Sequence, residues 1–437
     1  VNAVRGAFWI ALYLALVLAP LFAMLVGPTP AGRGFWWEFA IAVGFAATTM
    51  MGVQFALTAR FRRATAPYGI DIVYYFHRYL ALVTIVVILA HPIVLWAVEP
   101  ALLGMLDPRY APWYLTAGVG SVLVVLVLVA VSVARKRLRI PYEVWRWTHG
   151  LLAMGAVGLA LAHIQGVGYY VAVPWKRALW IGIVVTWIGV LGWVRLVKPW
   201  RLLRRPYRVA RVAPERGDAW TLAVEPVGHP GFAFQPGQFA WVTVGRTPFA
   251  MSEHPFSIAS SPSRDGRVAF TIKELGDFTR TVGRIPEGER VYLDGPYGAF
   301  TIDRHPAPGY VFIAGGIGIA PIMSMLRALA DRADQRPLLL VYAYRLWERL
   351  TFREEIEALR SRLALRVVHV LAEPPVDWRG EAGLVRADLL DRQLPADRRR
   401  LVYFVCGPVP MIEVAERALH RLGIPRARVH AELFDLV

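Results

Sequence analysis

Six apolar stretches, at about 7–26, 36–58, 72–98, 113–134, 147–164 and 178–197, crowd the first 200 residues, and most reach the roughly 20 residues that a bilayer-spanning helix needs. Nothing else in the sequence constrains the fold as strongly. Six spanning helices are the natural count. The first stretch is followed by no clear small-residue cleavage site and reads as a retained helix rather than a leader.

Charge divides the chain at the same place. Residues 1–200 hold 16 Lys/Arg and 5 Asp/Glu but 12 of the 16 Trp, whereas most of the charged side chains lie beyond residue 200. The basic excess is therefore mostly the loop charge of a membrane bundle and not a nucleic-acid footprint. Arg60, Arg62 and Arg63 follow the second stretch. Arg135, Lys136, Arg137, Arg139 and Arg146 separate the fourth from the fifth, and Arg195, Lys198, Arg201, Arg204 and Arg205 follow the sixth. The intervening loops are poor in cations. Both termini and the charged half are thus expected on the cytoplasmic side of the plasma (inner) membrane, with membrane lipid around the bundle.

Four histidines stand inside this apolar half, where ionisable residues are costly and usually functional: His77 and His91 in the third stretch, His149 and His163 in the fifth. Each pair is 14 residues apart. That is close to four helical turns, so the two imidazoles of one helix face the same way about 21 Å apart. Two parallel helices so equipped present two stacked pairs, His77 with His149 on the inner side and His91 with His163 on the outer. Facing neutral imidazoles are what axial ligation of a haem iron requires. A lone histidine of this kind would equally suit an interhelical hydrogen bond; the repeated spacing is what favours ligation. Nearby Arg78, Arg146, Arg109, Lys176 and Arg177 are candidates for contacts to haem propionates, although topology alone accounts for most of them. The single Cys406 excludes an intramolecular disulfide and a Cys-ligated iron–sulfur cluster within the chain.

Beyond a basic, Pro-containing linker near 198–206 the pattern turns to short alternating strands (PYRVARVAPE, AWTLAVEP, GQFAWVTVG, RVAFTIKEL, ERVYLDGPYG), which predict a small antiparallel barrel. From about 308 strands alternate with helices, the pattern of a doubly wound nucleotide-binding domain. In GYVFIAGGIGIAPIMSML a strand meets Gly315, Gly316 and Gly318 and then a helix led by Pro321, so backbone N–H groups can approach a pyrophosphate. Glycines at a strand end also serve as plain turns. The expected division is a membrane domain at 1–200, a barrel at 201–305 and an α/β domain at 306–437.

The six spans and paired histidines, followed by HPFSIAS at 254–260, KELGDFT at 273–279, GPYG at 295–298, AGGIGIAP at 314–321 and CGP at 406–408, resemble the bacterial NADPH oxidase and ferric reductase superfamily. The charged half is similar to ferredoxin–NADP reductase. The resemblance implies a six-helix transmembrane bundle holding two b-type haems, then an FAD-binding barrel and an NADP-binding domain. It implies that His254 and Pro255 lie at the FAD phosphates, that Phe256 flanks the isoalloxazine and that Ser257 reaches its N5. Lys273, Gly276, Phe278 and Thr279 would form the second FAD segment, holding the pyrophosphate. Gly315, Gly316, Gly318, Pro321, Cys406, Gly407 and Pro408 would face the nicotinamide nucleotide, with Cys406 positioning and not bonding covalently. Phe434 would cover the flavin until nicotinamide displaces it, or else be a core residue of the last strand. Arg345, just past the second strand of the α/β domain, favours NADPH over NADH. The implied activity passes electrons from NADPH through FAD and the haems to an extracytoplasmic acceptor, O2 giving superoxide ahead of a ferric chelate. The other reading is a haem-binding relay subunit of a membrane complex.

Overall fold

The computed structural model describes residues 2–59, 70–245, 247–250 and 252–433. It falls into two compact units, one built from the membrane helices and one holding almost everything after residue 198.

The helices of the membrane half are α1 (Asn2–Met24), α2 (Phe35–Thr58), α3 (Ile70–Val98), α4 (Trp113–Ala134), α5 (Tyr142–Val167) and α6 (Pro174–Gly192); α6 continues through one π turn, Trp193–Val197, into α7 (Lys198–Leu203), where the first unit ends at Lys198. Six spans along these helices are long and apolar enough to cross a membrane. Side chains such as Phe8, Val86 and Val185 face outward, while Trp180 and Trp187 pack between helices. The fifth helix begins at Tyr142, five residues before the apolar count expects it. Its first turn carries Glu143 and Arg146, which lower hydropathy without interrupting the helical hydrogen bonds, and Pro141 caps it. The sixth begins at Pro174, because Pro is accommodated at the first helical position.

The second unit opens with an antiparallel sheet of β1 (Tyr207–Glu215), β2 (Ala219–Pro226), β3 (Phe239–Val244), β4 (His254–Ser257), β5 (Val268–Lys273) and β6 (Arg290–Tyr297), in the order β4-β3-β6-β1-β2-β5. A bridge between Ile258 and Phe270 brings its two ends together, curling it into a barrel. Sequence patterning shows five of these strands. It misses β4, which is four residues long and contains Pro255; that proline is tolerated because β4 is a sheet edge paired with β3.

The α/β domain follows: β7 (Tyr310–Gly315), α8 (Ile319–Asp331), β8 (Leu338–Tyr344), α9 (Arg353–Leu359), β9 (Leu365–Leu371), β10 (Glu381–Ala382), α10 (Ala387–Gln393), β11 (Val402–Gly407), α11 (Val409–Arg421) and β12 (Val429–Leu433). Its parallel strands run in the order β10-β9-β8-β7-β11-β12. The order reverses between β7 and β11. Ligands of such sheets bind at the carboxyl ends of the strands where that reversal opens a crevice.

Candidate functional site

The membrane unit brings the histidines together in two pairs. His77 on α3 faces His149 on α5 with ring centres 6.4 Å apart, and His91 faces His163 at 6.3 Å. The other ring nitrogen of each is occupied. His91 Nδ1 lies 2.8 Å from the Ala40 carbonyl and His163 Nδ1 2.9 Å from the Tyr114 carbonyl. A carbonyl only accepts, so Nδ1 carries the proton and the lone pair resides on Nε2. His149 Nδ1 meets Ser132 Oγ at 3.1 Å; that hydroxyl already donates to the Leu128 carbonyl at 2.7 Å and accepts from Trp145 Nε1 at 3.1 Å. His77 Nδ1 lies 2.6 Å from Gln54 Oε1. Two imidazoles bonded through Nε2 to one ion, at about 2 Å each, have centres about 6 Å apart. No group of three or more His, Cys, Asp or Glu suited to a bare ion gathers among the described residues. Each pair thus suits an ion that brings its remaining ligands with it.

Of the cations that are candidates for propionate contacts, Lys176 is spent on structure. It is buried, and its ammonium donates to the Met24 and Pro28 carbonyls at 2.6 and 2.9 Å. Arg177 Nε donates to the Val171 carbonyl at 3.1 Å. Both tie together loops at one end of the bundle.

In the barrel, β3 and β4 pair Phe239 with Ser257, Ala240 with Phe256, Trp241 with Pro255 and Val242 with His254. Ser257 is buried. The turn after β5 comes to the same place: the Phe278 ring stacks on His254 with centres 4.2 Å apart and lies 6.1 Å from Phe256. Two segments read separately in the sequence thereby form one aromatic surface. The turn's own donors point inward, since the N–H groups of Leu275 and Gly276 both donate to Thr279 Oγ1 at 2.8 Å. Lys273 instead reaches toward the α/β domain, its ammonium 5.6 Å from the Tyr344 ring.

At the reversal of the parallel sheet, the glycines divide by role. A Cβ on Gly318 would stand 2.3 Å from the Cys406 carbonyl oxygen, one on Gly315 2.5 Å from Met411 Sδ, and one on Gly407 2.6 Å from Met411 Cε. These three let the β7–α8 turn press onto the end of β11. Gly316, with φ +54° and nothing near a Cβ, faces open space. Pro321 lies buried in the first turn of α8, and Pro408 caps α11. Cys406 is fully buried, and burial, with the Glu432 carboxylate beside it on β12, pushes its thiol well above the ordinary range, so it stays protonated. Arg345 is exposed and paired with Glu373 at 2.8 Å. Phe434 lies outside the described residues.

Sequence reasoning missed several residues that hold this arrangement. The buried Tyr342 phenol donates to the Gly316 carbonyl at 3.2 Å. Ser324 on α8 donates to the Ser260 carbonyl at 2.7 Å and accepts from the Gly237 N–H at 3.2 Å. Arg327 donates to the Ala259 carbonyl and grips Glu355 with two bonds of 2.7 and 2.6 Å. Ser324 and Arg327 fasten the segment that follows Ser257 to the helix that follows the glycine turn. Only Glu432 carried a signal in sequence, as the one acidic residue of the strand VHAEL.

Comparison with known proteins agrees with this architecture. Residues 43–160 match the ferric reductase like transmembrane component, 208–301 an FAD-binding domain and 312–417 an oxidoreductase NAD-binding domain. Together these three models match the make-up of the NADPH oxidase and ferric reductase superfamily. The charged half thus pairs an FAD-binding domain with an oxidoreductase NAD-binding domain. Among its relatives, the reductase component of propane 2-monooxygenase from Rhodococcus jostii is 34% identical over 237 residues, which are 52% of this chain and 62% of that protein. The flavohemoprotein of Bordetella pertussis is 29% identical over 53% of this chain and 60% of its own length. The chain therefore spans less than two thirds of either relative. A flavohemoglobin from Malassezia yamatoensis, solved with FAD and heme, is similar in fold at TM-score 0.50 and 16% identity, over 92% of this chain and all of that one. Six spans among the described residues and a matched transmembrane component make this a multi-pass membrane protein.

Proposed function

We propose that this chain is a transmembrane flavocytochrome b oxidoreductase, moving electrons from cytoplasmic NADPH by way of FAD and two bis-histidine b-type haems to dioxygen beyond the membrane, with superoxide as product. The observation that carries this reading is the pair of imidazole gaps, 6.4 and 6.3 Å. Both match the about 6 Å of a doubly ligated iron, with Nδ1 already engaged on every ring. His77 and His149 would hold the inner haem, His91 and His163 the outer. His254, Pro255, Phe256, Ser257, Lys273, Gly276, Phe278 and Thr279 would hold FAD. The chemistry these groups supply when bound is the division of a hydride's electron pair and its relay across the membrane one electron at a time.

The chain's own residues position and exclude. Tyr342 holds the Gly316 turn for the nicotinamide nucleotide. Ser324 and Arg327 keep Ser257 in register with that turn. Cys406 fills the floor of the crevice as a neutral thiol. The membrane and domain boundaries at 200 and 305, and the sidedness argued from loop charge, are parts of the same proposal.

Dioxygen as acceptor is supported by the outer loops' shortage of chelate-binding groups: Asp107 there is committed to Arg109 through bonds of 2.6 to 3.1 Å. A second reading, reduction of a ferric chelate, is favoured by the match of residues 43–160 to the ferric reductase component. Purified protein supplied with NADPH, FAD and haem separates them. Cytochrome c reduction suppressed by superoxide dismutase supports the first; dismutase-insensitive reduction of ferric citrate at a higher rate supports the second.

A further inference from the structure

The two hairpins α2–α3 and α4–α5 repeat one device. The first helix of each offers a backbone carbonyl to the outer histidine of the second, Ala40 to His91 and Tyr114 to His163. Four residues on from that carbonyl stands a glycine, Gly44 in one hairpin and Gly118 in the other. Residues four apart share a helix face, and the carbonyl of the first already accepts the N–H of the second. The histidine must therefore reach the carbonyl's remaining lone pair past the position where the second residue's side chain would stand. An added Cβ would lie 2.7 Å from His91 Nδ1 at Gly44 and 2.8 Å from His163 Nδ1 at Gly118. Neither distance is one that a real Cβ tolerates, and the imidazole cannot retreat without losing its bond.

The inner pair is held differently. Its Nδ1 atoms meet side chains, Gln54 Oε1 and Ser132 Oγ. The Gln54 amide nitrogen is buried and meets no hydrogen-bond partner among the described residues, so the polar contact seen for this side chain is with the imidazole. We propose that Gly44 and Gly118 are positioning residues that fix the outer imidazole pair against backbone, whereas Gln54 and Ser132 hold the inner pair through side chains that tune it independently. The inference rests on the haem reading above. An Nδ1–H donated to an acceptor gives the imidazole imidazolate character, which favours ferric iron; losing that acceptor raises the midpoint potential.

The test uses the full-length protein in detergent, with Gly44→Ala, Gly118→Ala and Gln54→Leu, and with Gly158→Ala as the control. Gly158 shares α5 with His163 and has nothing within 4 Å of an added Cβ. Haem per chain and potentiometric titration of the haem spectrum are the readouts, with FAD content reporting the folded state. Each of Gly44→Ala and Gly118→Ala should lose the haem that His91→Leu loses and leave the other at its wild-type midpoint. Gln54→Leu should keep two haems and raise one midpoint, and Gly158→Ala should change neither. Alanine variants with two haems at unaltered midpoints, or loss of the haem that depends on His77, would overturn the proposal. Should both alanine variants fail to accumulate, Gln54→Leu and Ser132→Ala decide it: one midpoint moved supports it, and no midpoint moved refutes it. Wild-type protein with fewer than two haems would instead defeat the haem reading itself, whatever the glycines do.

Discussion

Cys406 shows how a residue's surroundings decide its chemistry. It is the chain's single cysteine, fully buried at the end of β11 beside Glu432. A thiol raised in this way is neither a nucleophile nor a redox partner at neutral pH. Iodoacetamide at pH 7.5 should leave it unlabelled in native protein and label it fully after denaturation; rapid native labelling would contradict the assigned role. Tyr342 belongs to the same scale. Its removal as Tyr342→Phe strips the Gly316 carbonyl of a buried partner, a loss of about 1 kcal/mol. The expected result is a several-fold rise in KM for NADPH with kcat little changed, measured by steady-state reduction of ferricyanide. Arg345→Ala should raise KM for NADPH and leave KM for NADH unaltered, and an equal effect on both would remove Arg345 from the 2′-phosphate.

At the scale of elements, helical periodicity made the histidine pairs legible, because 14 residues bring two side chains onto one face. Their second partners were not legible. Gln54, Ser132, Gly44 and Gly118 lie on other helices, and which helix neighbours which is set by packing that no local pattern encodes. The same holds for the bonds from Ser324 to the Ser260 carbonyl and from Arg327 to the Ala259 carbonyl, which span more than 60 residues. Strand β4 escaped notice through its four-residue length and its proline. Between β11 and its surroundings, the His430 ring on β12 stacks on His305 at 3.6 Å, and burial holds His430 down at about 4. The unfolded chain takes up a proton near its ordinary value of about 6.5, which the folded state resists. Stability is therefore full above that value and is lost as pH falls from about 6.5 toward 4, on the order of 1 kcal/mol after allowance for partial exposure. The urea midpoint for FAD release should drop over that window, and His430→Phe should flatten the drop; an unchanged slope would remove His430 as its cause.

For the whole molecule, the division into an apolar bundle and a charged reductase half was readable from charge and hydropathy alone, and the matched families cover both halves. A single cysteine leaves flavin and haem as the carriers consistent with the chain, and the two histidine pairs are where the account is most exposed to test. Pyridine haemochromogen assay of purified full-length protein, read against protein concentration, measures it directly. Two b-type haems per chain are expected, falling to one in His91→Leu and in His163→Leu while NADPH still reduces the bound flavin. A wild-type ratio of one or less, or full haem content after either substitution, would contradict it.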